Sequence, residues 1–146
     1  MIVENIRATG KLNIQITDEN GVIKESHDVD NLVVTTGLGF IASRMKDATA
    51  SVMSHMAVGS GTTAAVLADT ALQTEIGRAA LTSTTVNAAS TVYAATFAAG
   101  VGTGAITEAG IFNASSAGTM LCRTVFPVVN KGATDTLQVT WTVTVS

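Results

Sequence analysis

The side chains able to do chemistry are few, and their spacing does not assemble them. His27 stands beside Asp28 and Asp30, three groups that could ligate a divalent metal. No further ligand at metal-site spacing supports them, and on a charged hairpin flank such a trio is more often a solvated cluster. His55 lies in the apolar run Met53-Ser54-His55-Met56-Ala57-Val58, the setting of a satisfied core or interface histidine. Cys122 is the single cysteine, so it forms no intrachain disulfide and no cysteine metal cluster. Inside an apolar run it reads as a small packing residue rather than a reactive thiol. Gly59-Ser60-Gly61-Thr62-Thr63 lacks the lysine of a phosphate-binding loop and the flanking spacing of a nucleophile elbow. Gly100, Gly102 and Gly104 lack dinucleotide spacing and do not open a helix. The chain therefore reads as non-enzymatic, with no catalytic residue, cofactor or metal expected.

Four charges pose a different question. Glu75, Arg78, Glu108 and Arg123 are isolated inside or beside apolar strands, where an unpaired charge is costly. Either they point to solvent or they pair, and Arg–carboxylate pairs are bidentate contacts that set register between strands or between subunits. All four are candidate interface residues. Pairing across the turn at 115–118 matches positions whose numbers sum to about 233, placing Ala109 opposite Thr124 and Asn113 opposite Met120. Glu108 and Arg123 then lie on a diagonal that long side chains reach. The expectation is that at least one of them faces a neighbouring subunit, so that Arg123→Ala weakens assembly and leaves monomer folding nearly intact.

The elements that must position these groups are strands. From Thr136 to Val145 the apolar residues Leu137, Val139, Trp141, Val143 and Val145 alternate with Thr and Gln, which puts every large apolar group on one face. Trp141, the only Trp, is the expected core anchor, with Phe112 and Phe126. Residues 11–17 alternate as cleanly, and Asp18-Glu19-Asn20-Gly21 supplies a hairpin turn. Six of the eleven acids (Glu4, Asp18, Glu19, Glu25, Asp28 and Asp30) gather on or near that hairpin, marking a solvated part or one that meets a basic partner. Leu38, Ile41, Ala42 and Met45 fall at helical spacing, predicting a helix over 36–47 with Thr35 or Thr36 as cap, Arg44 and Lys46 in its last turn, and a first turn weakened by Gly37 and Gly39. Asp69-Thr70-Ala71-Leu72 is a candidate single helical turn, and 98–104 a flexible connection. Further strands are expected over 53–58, 76–86, 91–97, 105–113 and 119–126, the last ended by Pro127. With about eight or nine antiparallel strands and one short helix, the pattern predicts an all-β fold, a β-sandwich or jelly roll, in a single domain over 1–146.

Composition narrows the function. The chain has 146 residues, 47% hydrophobic and only 13% charged, far from the disordered corner and long enough to bury its own core. A net charge of −3 with eight basic residues leaves no footprint for nucleic acid. No apolar run is long enough for a membrane-spanning helix, and Met1-Ile2-Val3-Glu4-Asn5 does not read as a signal peptide. Scarce charge and abundant Thr, Ser, Ala and Gly suit a surface that meets other protein.

Two phrases carry a resemblance. Met56-Ala57-Val58-Gly59-Ser60-Gly61-Thr62-Thr63, continued by Asp69-Thr70-Ala71-Leu72-Gln73-Thr74-Glu75-Ile76-Gly77-Arg78, is similar to a pattern of tailed-bacteriophage virion proteins. Ile106-Thr107-Glu108-Ala109-Gly110-Ile111-Phe112-Asn113, with Gly118-Thr119-Met120-Leu121 and Arg123-Thr124-Val125-Phe126 after it, resembles a hairpin of the same proteins. The resemblance implies a non-enzymatic virion component, made in the host bacterial cytoplasm and built on a β-sandwich. The short chain points to a capsid decoration (cement) protein whose partners are the major capsid protein and copies of itself, as a homo-oligomer. A tail, collar or baseplate/fibre-associated protein is the alternative, and a carbohydrate-binding jelly roll stacking sugars on Trp141 and Tyr93 a more distant one. Neither nucleic acid nor membrane is an expected partner.

Overall fold

The structure, a computed structural model, describes residues 5–146. The N-terminal stretch, with Glu4, lies outside the described residues. Eight strands and one helix follow in the order β1 (Ala8–Thr17), β2 (Ile23–Val33), α1 (Thr35–Ser43), β3 (His55–Gly59), β4 (Glu75–Asn87), β5 (Ser90–Phe97), β6 (Gly104–Phe112), β7 (Met120–Lys131) and β8 (Thr136–Val145). Alternation works as the sequence implies in β8, where Leu137, Val139, Trp141 and Val143 are buried and Gln138 and Thr140 exposed. β8 pairs along its length with β1 and with β5, so Trp141 sits between Leu12 and Tyr93. The indole is wholly buried, and Phe112 and Phe126 are buried too.

The sheet is not folded into two layers. Its strands run β1-β2-β7-β6-β3-β4-β5-β8 and return to β1, an antiparallel closed barrel rather than the expected β-sandwich or jelly roll. The in/out pattern of a strand is the same whether its inner face meets a second sheet or the far wall of a barrel. What decides is pairing between distant segments: β1 bonds β8 from Ala8↔Val145 to Thr17↔Thr136. The interior is filled by Leu12, Ile14, Ile16, Phe97, Ile111, Val139 and Trp141 among others, as a small barrel requires.

The least zipped seam joins β2 to β7, paired only at Leu32↔Arg123 and Val33↔Cys122. Beyond it Thr124 Oγ1 donates to the Asp30 carbonyl at 2.8 Å and the Asn130 N–H to Glu25 Oε2 at 3.2 Å. This explains why Pro127 does not end its strand. β7 continues to Lys131 because Pro127 lies past that seam, next to the register shift between Ile106 and Glu108, where no ladder N–H is required of it.

The helix is shorter than its periodicity suggests. α1 stops at Ser43, so Arg44 is its C-cap and Lys46 lies beyond it. Neither Thr caps its start: Val34 is the N-cap residue, and Thr36 Oγ1 donates to the Met120 carbonyl at 2.8 Å, tying the helix to β7. Gly37 belongs to the same contact, since a Cβ there would overlap the Leu121 carbonyl. Residues 69–72 form no helical turn, and the 98–104 connection turns on Gly100, Gly102 and Gly104, all at positive φ.

Candidate functional site

The loop between β3 and β4, residues 60–74, does not hang in solvent. It lies across the outer face of the barrel over β6 and β7, held by a buried ionic clasp. β6 turns Glu108, Gly110 and Phe112 to this face, and β7 turns Arg123 to it. Ala109↔Thr124 and Gly110↔Arg123 are in register, so Glu108 and Arg123 occupy the expected diagonal. A register shift after Ile111 makes Phe112, not Asn113, the partner of Met120. Asn113 instead closes the turn, its N–H donating to the Thr119 carbonyl and its Oδ1 accepting the Thr119 N–H at 2.7 Å.

Glu108 is wholly buried and Arg123 is 2% exposed. Arg123 donates to Glu108 Oε2 from Nε at 3.0 Å and from Nη2 at 2.8 Å. Its remaining donors reach the loop, Nη1 to Asp69 Oδ2 at 2.9 Å and Nη2 to the Thr63 carbonyl at 3.0 Å. Glu108 accepts the loop's own N–H groups: Gly61 at 3.0 Å and Thr74 at 2.7 Å on Oε1, Gln73 at 2.9 Å on Oε2. Burial alone pushes the Glu108 carboxyl up. The hydrogen bonds from Thr74, Gln73, Arg123 and Gly61 together outweigh it and hold the group below its ordinary range.

The glycines of the first phrase now have a physical reason. A Cβ on Gly59 or on Gly61 would run into the Glu108 carboxylate, so Gly59-Ser60-Gly61 is a cradle for a protein carboxylate rather than for a phosphate. Gln73 Oε1 accepts from Thr62 and Thr63, and Asp69 Oδ2 also accepts from Val66, which sets the loop's own shape. Leu72 packs beside Gly110 into a second, outer core with Val34, Ala57, Phe112 and Met120.

Glu75 and Arg78 pair with each other, Nε to Oε2 at 3.0 Å and Nη2 to Oε1 at 2.7 Å. The guanidinium lies 4.1 Å from the Phe112 ring centre, and its Nη1 donates to the Ala114 and Ala117 carbonyls. Arg78 thus staples the 113–119 turn to β4. The expectation that Glu108 or Arg123 faces a neighbouring subunit is corrected here: both are enclosed by their own chain, and every guanidinium nitrogen of Arg123 is engaged within it. Of the four charges only Glu75 keeps appreciable exposure, 36% of its side chain.

The other reactive side chains remain apart. His27 approaches Glu25 at 3.6 Å, while Asp28 and Asp30, at alternate positions, point to the other face of β2, with Asp28 Oδ1 accepting from Asn13. His55 Nδ1 is 2.8 Å from Ser54 Oγ. Cys122 is fully buried, and burial drives its thiol pKa well up. No family model matches the chain, and comparison with curated proteins and with solved structures gives no match.

Sequence reasoning did not find Asp69, Gln73 or the backbone of Gly61 and Thr74 as partners of the charged pair. The available signal was that both phrases contain charged residues amid Gly, Thr and Ala. What the assembled site can do is positional: its polar groups are engaged with one another, and the loop's apolar residues Val66 and Leu67 are each left 53% exposed.

Proposed function

We propose that this chain is a non-enzymatic structural component of a tailed-bacteriophage virion, most specifically a capsid decoration protein that binds neighbouring major capsid subunits as a homo-oligomer. The observation that carries the reading is the convergence of the two resemblance phrases on one clasp. Residues from 61 to 123 meet only to hold loop 60–74 against the barrel. Its polar side chains serve position rather than reaction, which suits a binding protein. A loop already ordered in the free chain loses little entropy on docking. Val66 and Leu67 project from it beside α1, whose Leu38 is 44% exposed, and the Leu67 carbonyl accepts the Thr35 N–H at 2.9 Å. Such an apolar patch on a small protein fits a protein partner. Sugar stacking has less support, since Trp141 is wholly buried and Tyr93 is 8% exposed.

The test is the copy number of the chain in purified virions, with the Leu67→Asp variant as a surface probe. Hundreds of copies per particle, lost in the variant while the free protein still folds, support decoration. A handful of copies moves the assignment to the tail or collar, and absence from particles overturns the virion reading.

A further inference from the structure

The two ends of the barrel carry complementary features that the clasp does not use. Where β1 begins and β8 stops, α1 and the chain after it lean over the barrel mouth and leave a cavity of about 370 Å³. Phe40, Ile41, Met53, Tyr93 and Val143 line it, and Val86 on its rim is 72% exposed. Arg44 stands in the wall with its guanidinium 5.2 Å from the Phe40 ring centre, and its Nη1 donates to the Ala50 carbonyl. Among the described residues no carboxylate lies within ion-pairing distance of it. Asp47, paired with Lys46 at 3.2 Å, has its carboxyl pKa lowered first by hydrogen bonds from Thr49, and Arg44 lies close enough to help lower it without forming an ion pair with it. This end is a greasy socket whose wall holds a cation with no ion-pair partner among the described residues.

The opposite end presents the β1–β2 turn. Asp18 Oδ1 accepts the N–H groups of Asn20 and Val22, both at 2.9 Å, and Gly21 takes a φ of 79°, so the turn is internally braced. It holds Val22 at 59% and Ile23 at 56% exposure beside the exposed Glu19. Among the described residues Glu19 has no cation partner, and nearby Lys24 is paired with Asp135 at 2.9 Å. This end is an aliphatic plug with an uncompensated acid.

We propose that the 18–23 turn of one copy seats in the barrel-mouth cavity of the next, Val22 and Ile23 against its apolar wall and Glu19 on Arg44. Two features decide for a second copy as occupant: the opposite signs of the two unpaired charges, and the apolar residues flanking each. Because the contact joins opposite ends it is head-to-tail, and repetition closes a ring or extends a filament. The inference rests on the self-association within the proposed function and specifies its contact.

Sedimentation velocity of the full chain across concentration tests it, with circular dichroism melting to check that each variant folds. The parent should associate. Val86→Asp, Arg44→Glu and Glu19→Lys should each weaken association by about tenfold or more, the charge variants most at low salt. The Arg44→Glu/Glu19→Lys double variant should recover to within about threefold of the parent. A parent that stays monomeric throughout, association unchanged by Val86→Asp, or a double variant as weak as the singles overturns the contact. Virions carrying parent and variants equally would remove this contact while leaving decoration standing. Self-association as described, with no chain in particles, would do the opposite.

Discussion

Replacing Arg123 by Met keeps an apolar stem in the clasp and removes its cation. Glu108 loses two charge-assisted hydrogen bonds, at 3.0 and 2.8 Å, while Asp69 and the Thr63 carbonyl lose one each. Deleting one partner of a buried ion pair costs about 3–5 kcal/mol, because the survivor stays buried and charged. Three backbone N–H groups still solvate Glu108, which places the expected cost at the lower end, about 3 kcal/mol. That is a large fraction of the stability of a domain this size. Urea unfolding reads the global loss. Amide exchange at Gly61, Gln73 and Thr74 reads the loop, and should accelerate by about a hundredfold if the cost is local. The parent should show the same loosening in acid. The folded-state pKa of Glu108 is depressed, so the clasp contributes fully above the ordinary carboxylate range and is lost as pH falls below it. Glu108→Gln, which cannot ionise, should flatten that dependence. Stability within about 1 kcal/mol of the parent in Arg123→Met, with the three amides still protected, would refute the clasp as the loop's anchor. Arg123→Ala is therefore expected to damage folding, against the sequence-based expectation of an intact monomer.

Two further expectations follow from single residues. Gly37→Ala should destabilise by about 1–3 kcal/mol because its Cβ would press on the Leu121 carbonyl, whereas Gly39→Ala, with open space around its Cβ, should stabilise by up to about 1 kcal/mol. Equal effects in chemical denaturation would contradict the packing of α1 on β7. Tyr93 is the only tyrosine, and burial, assisted by Cys122 and opposed by Arg44, pushes its hydroxyl up to about 12. Ultraviolet titration should find no phenolate step near the ordinary value of about 10, and a step there in folded protein would place the ring in water.

What the sequence determined by itself is the direction of its side chains along each strand. Side chains alternate with a period of two residues, a local property, so Trp141 had to share a face with Leu137, Val139 and Val143, and the short 115–118 turn had to bring Ala109 opposite Thr124. The helix was legible from its own local period, although not how it would begin, since its start is held by Met120 rather than by a cap of its own. Closure was decided only in three dimensions. A strand's pattern says which side is apolar and not which strand lies beside it, and the β1–β8 and β2–β7 seams join segments roughly 90 to 140 residues apart. The fate of Glu108 and Arg123 was decided there too. The register shift between Ile106 and Glu108 and the pairing of Gly110 with Arg123 turn both to the outer face of the barrel, a position that on a bare sheet means solvent. Tertiary structure laid loop 60–74 over that outer face, and a charge that a bare strand would have shown to water became buried. Only mutual pairing and the loop's own N–H groups make that burial tolerable.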